Sequence, residues 1–87
     1  IAFEDVNSQA PVHILVIPRE HISSLATCDD SQLLGDLLSA VRDIAKEKKL
    51  DESGYRVVNN MGANCGQSVD HIHFHLLGGR ALSWPPG

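Results

Sequence analysis

Long apolar runs are missing from this chain of 87 residues, and aromatic side chains are few: two phenylalanines, one tyrosine and one tryptophan. No stretch approaches the roughly 20 apolar residues that a membrane-spanning helix needs. No charged segment leads into an apolar stretch and a cleavage site, as a secretory signal would. The chain therefore reads as soluble and cytoplasmic, with no membrane partner. Cysteine is scarce as well. Cys28 and Cys65 stand far apart and in no C-x-x-C pair, which reads as two free thiols in a reducing compartment, with a single disulfide as the alternative. A basic excess is also lacking: 7 Lys and Arg stand against 11 Asp and Glu, a formal net charge of −4. That balance argues against nucleic acid held through its phosphate backbone. It leaves room for a nucleotide-sized ligand, because a few backbone amides and side chains can hold one phosphate.

What is present suits one small domain over residues 1–87 with a single core, at 43% hydrophobic and 21% charged residues. "IAFEDV" enters directly as a strand, without a turn or cap before it. It is therefore expected to begin in mid-element, with N-terminal elements of the domain lying upstream and an organelle address left open. The bend-forming "NSQAP", Asn7 to Pro11, separates it from a second strand, Val12 to Ile17, which is β-branched and stops at Pro18. Arg19 to Thr27 reads as a loop with a short helical turn. In "DDSQLLGDLLSAVRDIAKEKKL", Leu33, Leu34, Leu37, Leu38, Val41, Ile44 and Ala45 recur at helical spacing, with Asp29, Asp30 and Ser31 as cap candidates and lysines at the far end. "YRVVNN" reads as a strand, "MGANCGQS" as a loop, and a last strand is expected from about Val69 to Leu77, closed by Gly78 and Gly79.

That last strand contains "HIHFHLL". Side chains alternate along a strand, so Ile72, Phe74 and Leu76 face the helix while His71, His73 and His75 line the opposite face. Polar residues on a solvated face would explain one such histidine, and three in register strain that reading. A metal site is a second reading, since imidazole ligates zinc. However, alternate residues on one strand converge poorly on a tetrahedral centre, and no cysteine accompanies them. The third reading is nucleophilic and acid–base chemistry, in which a neutral imidazole attacks and its neighbour orients it or carries a proton. "CGQS", Cys65 to Ser68, directly precedes the row and offers a close backbone approach with an array of N–H donors for a phosphate.

"HIHFHLL" resembles the signature of the histidine triad superfamily of nucleotide hydrolases and transferases. With "APVHILVIPREHI", "GYRVVNN", "GQSVDHIHFHLLGGR" and the terminal "WPPG", the chain is similar over nearly its whole length to the Hint branch, the histidine triad nucleotide-binding proteins. The resemblance implies an α+β fold, an antiparallel sheet carrying one long helix. It also implies a homodimer that hydrolyses purine nucleoside 5′-phosphoramidates of AMP or GMP without metal or cofactor. A dinucleoside polyphosphate hydrolase of the same superfamily and a nucleotide-binding scaffold are the alternatives, the first disfavoured by the WPPG tail. His73 matches the nucleophile, His75 the phosphate-contacting histidine, His71 the one that orients the nucleophile, and His13 a fourth histidine behind the triad. Asn60, Gly66, Gln67 and Ser68 fall at phosphate-contacting positions, with Ser68 near the leaving group. Asp5 matches the acid that bonds the ribose hydroxyls, and Phe3 and Val6 match apolar positions beside the base. Trp84 is implied to reach the leaving-group side of the partner protomer's site. His21 is assigned no step.

Overall fold

The computed structural model describes all 87 residues, Ile1–Gly87. Ala2–Glu4 (β1) and Val12–Val16 (β2) pair antiparallel, with Phe3 opposite Leu15. Asp5 organises the turn between them: its Oδ1 accepts the N–H of Asn7 at 2.9 Å and its carbonyl accepts the Ser8 hydroxyl at 2.8 Å. A 3₁₀ turn at Leu25–Thr27 lies within the segment read as a loop with a helical turn.

The helix Ser31–Glu47 (α1) starts where the cap candidates place it. Asp30 is the cap, its carboxylate accepting from the N–H of Leu33 at 3.0 Å. Leu37, Val41 and Ala45 are buried, and Leu33, Leu34 and Ile44 pack at the margin of the core. Leu38 departs from the expected stripe. It is 48% exposed, because one residue is about 100° of helix rotation and carries it from the buried Leu37 toward solvent.

A second short helix, Leu50–Ser53 (α2), was not anticipated. Lys49 takes a left-handed conformation, φ 60°, which reverses the chain and drops Leu50 into the core. Tyr55–Val58 (β3) follows, then Phe74–Gly78 (β4). The sheet order is β1-β2-β4-β3 with every pair antiparallel, and α1 packs on the two central strands. The expected α+β architecture is thus observed: a four-stranded antiparallel sheet with one main helix. No helix is long and apolar enough to cross a membrane.

The last strand is shorter at its start than expected. Its ladder begins at Phe74, opposite Val16 on β2, with His75 opposite Val58 on β3. Upstream of this the neighbours diverge: β2 runs out toward Pro18, which has no N–H, and β3 ends before Asn59. Other groups replace the ladder there. The Ile72 N–H donates to Ile22 O at 2.6 Å, and the Asn59 side-chain amide donates to His73 O at 2.9 Å. The alternation survives the loss of the ladder, with Ile72, Phe74 and Leu76 buried and the three histidines half-buried on the other face.

Leu76 has no exposed surface. Leu76→Ala should cost about 2–5 kcal/mol in urea unfolding, and Leu38→Ala, on the solvent side of α1, about 0.5 kcal/mol or less. Equal costs would mean that the core is misplaced.

Candidate active site

The sheet face turned away from α1 carries the histidines. Antiparallel partners point the same way, so Leu15, His75 and Val58 form one row across three strands, and His13 with Leu77 the next. His13 and His75 sit diagonally on neighbouring strands, and their rings meet with His13 Nε2 at 2.8 Å from His75 Nδ1. The His73 ring stands edge-on to His75 with centroids 5.0 Å apart. His71 stacks instead on His21, centroids 5.4 Å apart, and its Nε2 lies 3.3 Å from Pro18 O. The structure thus gives His21 a partner in the histidine row, although it stands exposed at the end.

Fixed neighbours assign the tautomers. A carbonyl can only accept, so the 2.8 Å contact between His73 Nδ1 and His71 O places the proton on Nδ1 and leaves the Nε2 lone pair free. At His13 the order is reversed. Its Nδ1 accepts the backbone N–H of Gln9 at 3.0 Å, so the proton lies on Nε2 and is donated to His75 Nδ1. His75 must then carry its own proton on Nε2, an atom that is buried and has no protein acceptor. Burial pushes the His75 pKa down, the positive charge that His73 or His13 would carry pushes it further, and Asp5 opposes this in part. His75 is therefore a neutral N–H donor beside a ring, that of His73, whose Nδ1 carries a proton and whose Nε2 is the position open to act as a nucleophile.

The loop before the row is built differently from the expected N–H array. The N–H groups of Cys65, Gly66 and Gln67 donate within the loop, to Gly62 O, Ala63 O and Gly62 O at 3.3, 3.1 and 3.2 Å. The Gln67 side chain is a brace: its Oε1 accepts from Gly62 N at 2.9 Å and its Nε2 donates to Ser23 O at 2.8 Å and Val69 O at 3.2 Å. Gly66 turns the loop in a left-handed conformation, φ 73°, and Ser68 follows it, exposed. Asn59, which no motif singled out, holds the backbone of His73; its amide in a strand-ending "NN" gave no signal of which Asn would turn inward.

Two hollows flank the row. One of about 300 Å³ is lined by Phe3, Leu15, Ile17, Val69, His71 and His73. The other, about 640 Å³, lies beyond Val58 and Leu77 and takes in Asn60, Asn64 and Cys65. Val6 is fully exposed and lines neither. Trp84 is 80% exposed and packs against the Arg56 guanidinium, 5.9 Å from its ring centre, rather than on the histidines. Both cysteines are free thiols.

Asp5, His13 and His75 hold ligand atoms within 4.8 Å of one another, so a metal needs testing against their chemistry. A neutral histidine that binds a dication through Nε2 carries its proton on Nδ1, usually donating it onward. Here His13 Nδ1 faces the Gln9 N–H, and a proton there would set two donors against each other. The donor set does not fit a metal while that bond stands.

Because folding lowers the His75 pKa, the unfolded chain takes up the extra proton first as the pH falls below the ordinary imidazole value of about 6.5. This contribution to stability is intact above that value, declines as the pH drops toward the lowered folded value, and levels off below it. Urea unfolding from pH 7.5 to 5 should show the decline, and His75→Gln should make it shallower. An identical pH dependence in the variant would contradict the burial of a neutral His75.

A family model described as the HIT domain matches residues 1–82. A HIT-like protein of Synechococcus elongatus is 56% identical over 89 aligned positions, which cover all of this chain and 77% of that protein. A solved HIT family hydrolase from Legionella pneumophila superposes with a TM-score of 0.96 at 46% identity, covering 99% of this chain and 79% of that one. A histidine triad nucleotide-binding protein from Candida albicans superposes at 0.80 with 35% identity, covering 97% and 66%. The fold is thus that of HIT family hydrolases and nucleotide-binding proteins, and the chain belongs to the HIT domain family.

Proposed function

We propose that the protein hydrolyses purine nucleoside 5′-phosphoramidates, such as adenosine 5′-monophosphoramidate, to the nucleoside monophosphate and an amine. The observation that carries this reading is the pair of opposite tautomers on adjacent histidines: a free lone pair at His73 Nε2 and an unpaired N–H at His75 Nε2. His73 Nε2 attacks the α-phosphorus, and a bond from phosphorus to the imidazole forms as the bond to the amine nitrogen breaks. The amine departs with a proton relayed through the Ser68 hydroxyl, which regains one from the water of the second step. Water then attacks the phosphorus, releases the imidazole and leaves the monophosphate. Positive charge appears on the His73 ring in the intermediate, and the His71 carbonyl already accepts its Nδ1–H. The His75 N–H, buried and without an acceptor in the free protein, takes a non-bridging oxygen as its partner once bound substrate displaces the side chains that cover it, and that oxygen's negative charge grows in the transition state.

The remaining residues take places around that step. The apolar hollow at Phe3, Leu15 and Ile17 suits the purine. Asp5 serves the ribose hydroxyls, and Asn60 the phosphate. Gly66 and Gln67 shape the loop that presents Ser68 to the amine, where a proton must be delivered. Two exposed features support a homodimer. The outer edge of β3 is unpaired and carries the exposed Tyr55 and Val57, and Trp84 offers a large aromatic surface of the kind that anchors interfaces.

A fluorogenic adenosine phosphoramidate run beside a diadenosine polyphosphate tests the reading. The first should be the preferred substrate, and His73→Ala should lower its turnover at least roughly a thousandfold while the fold persists. Preference for the diadenosine compound would replace the reading with the dinucleotide-cleaving one. Near-normal turnover by the variant would remove His73 as nucleophile. Deleting residues 83–87 should alter the relative rates across a panel of amine leaving groups; unchanged ratios would end the assignment of Trp84 to the partner's site.

A further inference from the structure

The tautomer chain has its origin outside the histidine row. Gln9 sits in the exposed turn between β1 and β2, and its N–H makes His13 Nδ1 an acceptor, while the Asp5 carboxylate, with Oδ2 3.4 Å from His13 Nε2, favours the same tautomer from the other side of the ring. A turn peptide is a poor anchor unless something holds it. Here the guanidinium of Arg80 does so: Nε at 3.2 Å and Nη2 at 2.8 Å both donate to Gln9 O, while Nη1 donates to Ala81 O at 2.9 Å. A planar fork on one carbonyl fixes position and orientation together, which a single donor cannot do. The two glycines before it make that reach possible. A Cβ on Gly78 would lie 2.8 Å from Leu50 Cδ2, and one on Gly79, whose φ is 88°, would lie 3.0 Å from Pro11 Cβ. Only a bare backbone lets the end of β4 press against both α2 and the β1–β2 turn, and the next residue is Arg80.

We propose that Arg80 is a positioning residue of the active site: by clamping Gln9 it sets the His13 ring, and through His13 the N–H that His75 presents to substrate. Arg80 touches no reacting atom. Its influence passes through the two peptide units that meet at Gln9 and then two imidazoles, so its loss loosens the Gln9 N–H and lets the His13 ring turn over and exchange tautomers. The link to turnover rests on the phosphoryl chemistry proposed above. The effect on the His13 ring does not, and the two can fail separately.

The test is ¹⁵N NMR of the histidine rings in the full chain, with steady-state kinetics alongside. In the wild type, His13 should show one acceptor-type nitrogen at Nδ1 and one protonated nitrogen at Nε2. In Arg80→Ala these two signals should move toward each other, and kcat should fall roughly tenfold or more with little change in KM. Arg80→Lys keeps the charge without the fork and should fall between the two. Gln9→Pro removes the N–H itself and should reproduce the Arg80→Ala spectrum; the two arginine variants carry the test if the proline variant does not fold. A His13 spectrum unchanged in Arg80→Ala overturns the proposal, as does a fall in kcat unaccompanied by any change at His13. A changed spectrum with no phosphoramidate turnover in the wild type would keep the clamp and remove the substrate assignment.

Discussion

Residues 71 to 78 serve two surfaces at once, and the rest of the molecule is arranged around that constraint. Every second side chain, Ile72, Phe74 and Leu76, is part of the core beneath α1, while the residues between them face the site. Neither set can shift without the other, because a slip of one residue would exchange imidazoles for core side chains. The stability of the core therefore also defines the register of the histidines. Burial of large apolar groups holds that register far more firmly than the hydrogen bonds of the rings could.

Register places the rings, but it does not decide what they donate or accept. Those choices come from backbone groups with a fixed sense: the His71 carbonyl for His73 and the Gln9 amide for His13. Because each contact fixes one nitrogen, the other nitrogen of the same ring is determined, and the order passes from His13 to His75. Two neighbouring imidazoles on one strand thus end with opposite roles. Burial reinforces the outcome by keeping His75 neutral, so that it donates from an uncharged ring.

The parts of this that the sequence made legible are the parts that depend on periodicity and local caps. The start of α1 followed from the cap candidates Asp29, Asp30 and Ser31 and its buried face from the leucine spacing, and the face of each residue in "HIHFHLL" followed from alternation alone. What the sequence hid depends on contacts between distant segments. Gln67 looked like a phosphate-loop side chain and is a brace among Ser23, Gly62 and Val69, because nothing in "GQS" says where residue 23 lies. His21 looked peripheral and stacks on His71 across 50 positions of chain. The strand start was misplaced for a similar reason: the alternation of residues 69 to 73 is strand-like, but a ladder also needs partners, and both neighbours had ended.

The missing ladder at residues 71–73 has a consequence for the site. In a paired strand, the His71 and His73 carbonyls would be drawn into alternating ladder bonds with neighbouring backbone. Here they are taken up otherwise. His71 O accepts from the His73 ring, and His73 O accepts from the Asn59 side chain. Ending β2 and β3 early is thus what makes a main-chain acceptor available two residues from the ring that needs it. A longer, more regular sheet would hold the same three imidazoles on the same face and leave the His73 tautomer unfixed. The irregular end of β4 is where the fold gives up pairing energy and gains a directed lone pair.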